Sequence, residues 1–501
     1  MNKKNGKQKF ECSIVFFAAV LLFVINWTFN AWMTKGTRVL YLDDLEAYTG
    51  YISFKDSVGI IGYLFNTAGG KFRIVMNFIT ILLFETIGKN FEVLDVIQLV
   101  LNWINCMALF LLIRKFASRS RWKNSLGIIG GALFAGSRFA YYDITEFWGI
   151  MEGLAILCGL VLLYFLLCYV ENGNKKSWIG ANIAYLIIIF IHERYVLLLG
   201  VFIVAVICKY EKNIKKWAYI MLPLLIFIAF WGLRFWLLGG QVLVGTGNQN
   251  INETFNIKQA ILFALSQVGY ILGLNCGPAY LNGVDIRTVP WEINFIVLLG
   301  ILIIGVIAVK TLRQWKDSYF NIKQILIILS FIGCCIISSS ATIRVEMRWI
   351  YISYAAFILL IVVSLAYLID KTENKKKWLV VGGIYLCIVF CFETFYRSYY
   401  NNIYYWNTKE DSKSLYSTTV EKYGEGFCNS KTILVDSSQA WNEESWKKFF
   451  SPYFNSENLQ LECVSCINDL QSVKESGCIV LLYKSGKGYT DITDILENIK
   501  S

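Results

Sequence analysis

The sequence predicts a polytopic α-helical membrane protein with about eleven transmembrane helices (a membrane domain over residues 1–395) and a small α/β domain over residues 396–501. Three observations predict it. Hydrophobic residues make up 56% of the 501 positions, and the mean hydropathy is +0.51. Charged residues are only 17%, where a soluble domain carries about 25%. The apolar residues fall in nearly uncharged runs of about 20, the length that crosses a hydrocarbon core. Aromatics reach 16%, a density that suits membrane–water interfaces, where a ring is buried and its polar edge stays wet.

The runs begin at Cys12, Val93, Ser125, Phe147, Ser177, Tyr195, Trp217, Ile293, Lys323, Trp349 and Trp378. The first follows Lys3, Lys4, Lys7 and Lys9 and has no small-residue cleavage site behind it, so it reads as a retained helix. With the N-terminus in the cytoplasm, the cytoplasmic segments hold 23 Lys and Arg and the outside connections 13. That asymmetry favours this orientation. Eleven spans then leave the C-terminus outside. The net charge of +11 comes from residues that punctuate apolar runs rather than line a soluble face, so no nucleic-acid partner is expected.

Two outside connections are long. The first, 35–92, contains the apolar stretches Val58–Phe65 and Ile74–Ile87, too short or too interrupted to span and expected to lie along the membrane surface. The second, 239–292, carries Gly239, Gly240, Gly245 and Gly247 and an apolar stretch near Ile261–Leu272. It lacks the lysine and spacing of a P-loop. The tail is polar, with strand-like runs at Thr432–Val435 and Cys478–Tyr483. The 14 cysteines show no zinc or haem spacing; most lie in apolar runs as small buried side chains, and Cys463 with Cys466 is a lone CxxC.

Ionisable residues near a bilayer are costly and usually kept for a reason. Five groups fall on the outer side. Asp43-Asp44 with Glu46 follows the first span; one carboxylate could act as general base while the other orients a partner or holds a divalent cation. Lys71 and Arg73 follow Gly69-Gly70, where cations beside glycines can grip a phosphate. His192-Glu193-Arg194, with the chain's one histidine, forms a tight turn; His192 or Arg194 would bind an anion and Glu193 would hold one of them. Arg344 and Arg348, four apart, would share a helix face suited to a phosphate or diphosphate, with Glu346 pointing elsewhere or pairing with one of them. Glu146 and Glu152 flank Trp148; Glu152 lies in an apolar run and wants a partner, for which Arg138 or Arg194 is available. Each group also has a plainer reading as an acidic loop, a snorkelling anchor or a structural salt bridge.

The multi-span topology, Asp43-Asp44 in a long first outside loop, short interfacial helices in that loop and a soluble domain after the last span together resemble the GT-C membrane glycosyltransferases. Within them the chain is most similar to bacterial membrane proteins associated with cell-surface polysaccharide. The resemblance implies transfer of a sugar from a polyprenyl-phosphate carrier to a glycan or other cell-envelope acceptor outside the cytoplasm. It implies that Asp43 or Asp44 is the catalytic base, and that a divalent cation, Mg or Mn, could sit there. Lys71, Arg73, His192, Arg194, Arg344 and Arg348 are assigned to the carrier phosphate on charge alone, with Glu46, Glu146, Glu152, Glu193 and Glu346 in support. A surface-polysaccharide polymerase or ligase is the nearest alternative. A transporter or flippase is the alternative of another class, disfavoured because the charges sit at helix ends and only Pro223 lies inside a span.

Overall fold

The computed structural model describes residues 2–34, 37–88, 90–210, 214–239, 250–274, 289–314, 319–371, 375–400, 404–438, 440–472 and 477–498. Gly240, Gly245 and Gly247 of the second long loop lie outside the described residues, as do the side chains of Lys3, Lys4, Lys7 and Lys9. The chain forms two compact units. One comprises Met1–Lys35, Leu64–Ile79 and Val96–Tyr399; the other comprises Gly36–Tyr63, Thr80–Asp95 and Tyr400–Ser501.

The helices, in chain order, begin with α1 (Asn2–Asn30), α2 (Asp43–Leu64), α3 (Ile74–Ile87), α4 (Glu92–Phe116), α5 (Lys123–Ala135), α6 (Ala140–Thr145), α7 (Gly149–Asn172), α8 (Lys175–Ile191) and α9 (Leu199–Tyr210). They continue with α10 (Met221–Leu238), α11 (Ile251–Thr254), α12 (Ile257–Ile271), α13 (Trp291–Arg313), α14 (Ile322–Ser340), α15 (Tyr351–Lys371) and α16 (Lys375–Tyr400). Eight helices among the described residues are long and apolar enough to cross a membrane. They coincide with eight of the eleven expected runs, and the protein is a multi-pass helical membrane protein. The other three runs are also helical but shorter: α5 has 13 residues, α8 has 17 and α9 has 12. The surface stretches expected in the first loop appear as α3 and as the end of α2, where Gly59 (φ 78°, ψ 171°) breaks the helix.

In a bilayer, helices associate through close packing and interhelical hydrogen bonds. Gly159 and Gly180 show the packing: a Cβ at either would fall 2.6 Å from Ile352 or 2.8 Å from the Phe165 ring. Asn26, Asn30, Asn102 and Tyr351 show the bonding. Asn30 donates to Asn26, Asn102 donates to the same Asn26 oxygen, and the Tyr351 hydroxyl donates to Asn102 at 2.9 Å. α15 is buried along almost its whole length.

The α7–α8 hairpin positions the site. Gly173 takes the left-handed conformation (φ 68°) that closes α7, and Asn174 caps α8 by accepting from the Lys176 N–H. Antiparallel helices joined at that turn bring the start of α7 and the end of α8 to one level. Glu152 and His192-Glu193-Arg194, 40 residues apart at the nearest, are therefore neighbours.

In the second unit four strands, β1 (Lys431–Val435), β2 (Gln460–Val464), β3 (Ile479–Lys484) and β4 (Gly488–Asp491), form a sheet ordered β2-β1-β3-β4. β1 runs parallel to both neighbours, and β3 and β4 are antiparallel. β1 and β3 lie on the two strand-like runs of the sequence; β2 and β4 carry too little alternation to have been legible. Ile433, Val435, Val464 and Val480 fill one core. A short helix α18 (Glu443–Phe450; α17 is Tyr404–Tyr416) buries Trp446, Phe449 and Phe450. The first-loop segment belongs here: the Leu40 N–H donates to the Tyr453 hydroxyl at 3.1 Å, and the Tyr41 ring meets Phe449.

Candidate functional site

The second unit holds the acidic pair. Asp43 and Asp44 open α2, where carboxylates are favoured by the unsatisfied N–H groups of a helix start. Leu42 precedes them with a left-handed φ of 47°, a conformation a branched side chain tolerates only under surrounding constraint. Neighbouring helix positions point about 100° apart, and the two aspartates have different fates. Asp44 is 1% exposed; its Oδ2 accepts from Arg38 Nε at 3.0 Å and from Nη2 at 2.6 Å. Arg38 Nη1 binds Asp95. Asp43 is half-buried and Glu46 exposed; Glu46 lies 4.0 Å from Lys448 across an exposed pair, an interaction of little energetic weight.

The first unit gathers the cations. Gly69 and Gly70 both take left-handed conformations (φ 64° and 67°), and the Gly70 carbonyl accepts from Arg234 at 2.8 Å. The turn delivers Arg73, which grips Glu193 with two parallel bonds of 2.7 and 2.8 Å, the bidentate geometry a guanidinium favours. Arg73 Nη2 also lies 3.3 Å from His192 Nε2, and His192 Nδ1 lies 3.5 Å from Glu193. The Arg194 backbone N–H donates to His192 Nδ1 at 3.3 Å. Lys71 stands within electrostatic range of His192. Burial, then Arg194 and Arg73, hold His192 well below its ordinary pKa, so it is neutral. Burial alone would raise Glu193, but Arg73, His192 and Arg234 outweigh it and keep the group ionised.

The next residue, Arg194, binds both oxygens of Glu152 and lies 5.1 and 5.0 Å from the centres of the Tyr195 and Trp349 rings. Of the two arginines available to Glu152, the hairpin supplies Arg194. Arg138 is engaged elsewhere, at 2.5 Å from Glu393 and 2.7 Å from the Tyr270 carbonyl. Glu146 is buried, and its carbonyl accepts from Gln98. Arg344 and Arg348 do meet, though not on a helix face: residues 341–346 are irregular and only Met347–Trp349 forms a 3-10 turn. Glu346 joins them instead, accepting from Arg344 Nε at 3.0 Å and pairing with Arg348 Nη2. The Arg348 guanidinium covers the Tyr142 ring at 4.0 Å.

Several participants were not singled out in the sequence. Arg38 and Asp95 complete the Asp44 cluster, and Asp95 was legible as an acid at the start of an apolar run. Asp143, in α6, lies within electrostatic range of Glu152, Arg348 and Arg194. Among the described residues no group of three or more His, Cys, Asp and Glu could hold a metal ion. At the acidic pair, Arg38 supplies to Asp44 the positive charge a cation would bring. The donor set does not fit a divalent ion, and no step below uses one.

No family model and no curated protein sequence matches the chain. Among solved structures, ArnT from Cupriavidus metallidurans, determined bound to undecaprenyl phosphate, is similar with a TM-score of 0.50 and 10% identity. The match covers 98% of this chain and 94% of that one. At that identity the likeness establishes the fold, and the fold is the GT-C type that the topology and first loop led us to expect.

Proposed function

We propose that this chain, which has the GT-C fold, is a glycosyltransferase that takes its sugar from a polyprenyl-phosphate carrier and passes it to a cell-envelope acceptor on the extracytoplasmic side. The observation that carries the reading is that Arg73, Arg194, Arg344 and Arg348, from three distant stretches of sequence, all form partly buried ion pairs in one unit. Two of these guanidiniums meet at a single carboxylate, Glu346, and guanidiniums are the side chains best suited to a phosphate. The likeness to a structure holding undecaprenyl phosphate supports the same carrier class.

The chemistry is a single displacement. An acceptor hydroxyl attacks the anomeric carbon, the bond from that carbon to the carrier phosphate breaks, and the electron pair leaves with the phosphate. Arg344 and Arg348 stabilise the departing charge. The hydroxyl proton goes to Asp43. Asp44 is the weaker candidate for base because it is buried under Arg38; it orients the start of α2. Mg or Mn is not required in this reading, and a chelator leaves turnover intact. The orientation has the N-terminus cytoplasmic and the C-terminal unit outside, with α5, α8 and α9 completing eleven crossings.

The test is saturable binding of undecaprenyl phosphate to the full chain in nanodiscs. The Arg344→Ala, Arg348→Ala double variant loses about tenfold or more in affinity, as expected for charge-assisted bonds. Absence of saturable binding by the unaltered protein would overturn the proposal.

A further inference from the structure

We infer that Asp143 and Arg194 form a subsite for the hydroxyl groups of the transferred sugar, distinct from the Arg344–Glu346–Arg348 group that takes the phosphate; the inference rests on the glycosyltransferase reading. Asp143 is 5% exposed, and neither side-chain oxygen has a hydrogen-bond partner among the described residues. The Arg194 side chain is 7% exposed; Nη2 serves Glu152, while Nε and Nη1 have no acceptor among the described residues. Buried groups of this kind are nearly always paired, because an unpaired one gives up its bonds to water without replacement. Two acceptor oxygens and two donor nitrogens are the complement of hydroxyls, which give one hydrogen and accept others.

The surroundings suit a sugar better than other ligands. Glu152 balances the charge of Arg194, and an Asp143 that holds its proton adds none, so the group offers hydrogen bonds rather than a net positive charge for a phosphate. The rings of Tyr195 and Trp349 flank Arg194, and Tyr142 precedes Asp143, offering the aromatic walls with few polar groups usual in ligand sites.

The carboxyl is also held in place. The Asp143 carbonyl accepts from Gln98 Nε2 at 2.9 Å. A Cβ at residue 149 would come within 2.5 Å of the Asp143 Cα and carbonyl oxygen, so only Gly149 lets α6 lie this closely on the start of α7. Burial, with Glu152 adding to it, raises the Asp143 carboxyl well above its ordinary range against the pull of Arg348 and Arg194. An acid so placed can both give and take a hydrogen bond.

The experiment compares undecaprenyl phosphate with undecaprenyl phosphate carrying glucose, N-acetylglucosamine or arabinose, each bound to the full chain in nanodiscs. The unaltered protein binds at least one glycosylated carrier about tenfold more tightly than the bare carrier. Asp143→Asn, nearly isosteric, loses that preference and holds the bare carrier within about twofold, and Arg194→Lys, which keeps the charge but lacks Nε and Nη1, loses the preference as well. Asp143→Asn also leaves the thermal midpoint equal or higher, because an unpartnered acid is removed. Preference retained in both variants, or no preference for any sugar in the unaltered protein, overturns the subsite while leaving the carrier reading in place. No binding of the bare carrier removes both.

Discussion

Two buried three-membered ion clusters, one in each unit, are near mirror images in charge. At the start of α2 one arginine, Arg38, serves two acids, Asp44 and Asp95. Between α14 and α15 one acid, Glu346, serves two arginines, Arg344 and Arg348. Neither arrangement is the cheapest way to stabilise a fold, since an apolar trio of similar volume is often as stable or more so. The opposite composition of the two clusters is therefore the informative part. With Asp43 beside it the first cluster favours a proton or cation, although Lys409 stands within electrostatic range of Asp95. The second favours an anion.

The sharpest break of this comparison comes at the aspartates. Asp43→Asn lowers turnover by about 10²- to 10⁴-fold, the usual contribution of a positioned general base, and leaves the thermal midpoint unchanged. Asp44→Asn removes one partner of a buried pair and lowers stability by about 3–5 kcal/mol, measured by denaturant or thermal unfolding in detergent. If Asp44→Asn stays fully stable yet loses turnover, the roles of the two residues are reversed.

A smaller effect separates the arginines. Arg348→Ala weakens undecaprenyl phosphate binding by about 1.5–3 kcal/mol, the range for a hydrogen bond to a charged group. Arg38→Ala leaves that affinity within about twofold, although it destabilises the protein. Equal losses from both variants, after correction for the folded fraction, would abolish the division between proton and anion clusters.

How much of this was legible beforehand follows from what each signal depends on. Spans and strand-like runs are local patterns, so α1, α4, α7, α10, α13, α14, α15, α16, β1 and β3 lie where hydropathy and β-branched residues placed them. The short helices α5, α8 and α9 were legible as helices but not as lengths, because where a helix stops depends on features such as Gly136 and His192 at their ends. Charged residues near a membrane flagged themselves by cost, which found Arg73, His192, Glu193, Arg194, Arg344 and Arg348. Partnership was not legible in the same way. Nothing local says that Arg138 takes Glu393, 255 positions away, or that Arg38 reaches Asp95. Arg344 and Arg348 were placed on a helix by their spacing, and the loop that joins them through Glu346 has no periodicity to announce it. Asp143 was missed because it follows two tyrosines in the short helix α6, and its meaning depends on the side chains it fails to bond.

The finest test concerns the Arg73–Glu193–His192 group and needs only pH. His192 is held well below its ordinary value of 6.5, so the folded protein refuses a proton that the unfolded chain accepts. Stability from this source is complete above that value and declines as pH falls below it, by at most about 1.4 kcal/mol per pH unit. Asp143 works in the opposite sense. Its raised carboxyl makes the folded state gain stability as pH falls through the same region, so the net slope of the unaltered protein can be shallow. The comparison must therefore be between proteins. His192→Gln, whose amide oxygen can still accept from Arg73 and whose amide nitrogen can face Glu193, removes the histidine contribution and leaves that of Asp143. From about pH 8 to about pH 5, the thermal midpoint of the variant should rise relative to that of the unaltered protein, with the divergence starting near 6.5. Parallel curves would mean that His192 is as easily protonated in the folded chain as in the unfolded one, and would overturn this account of the group.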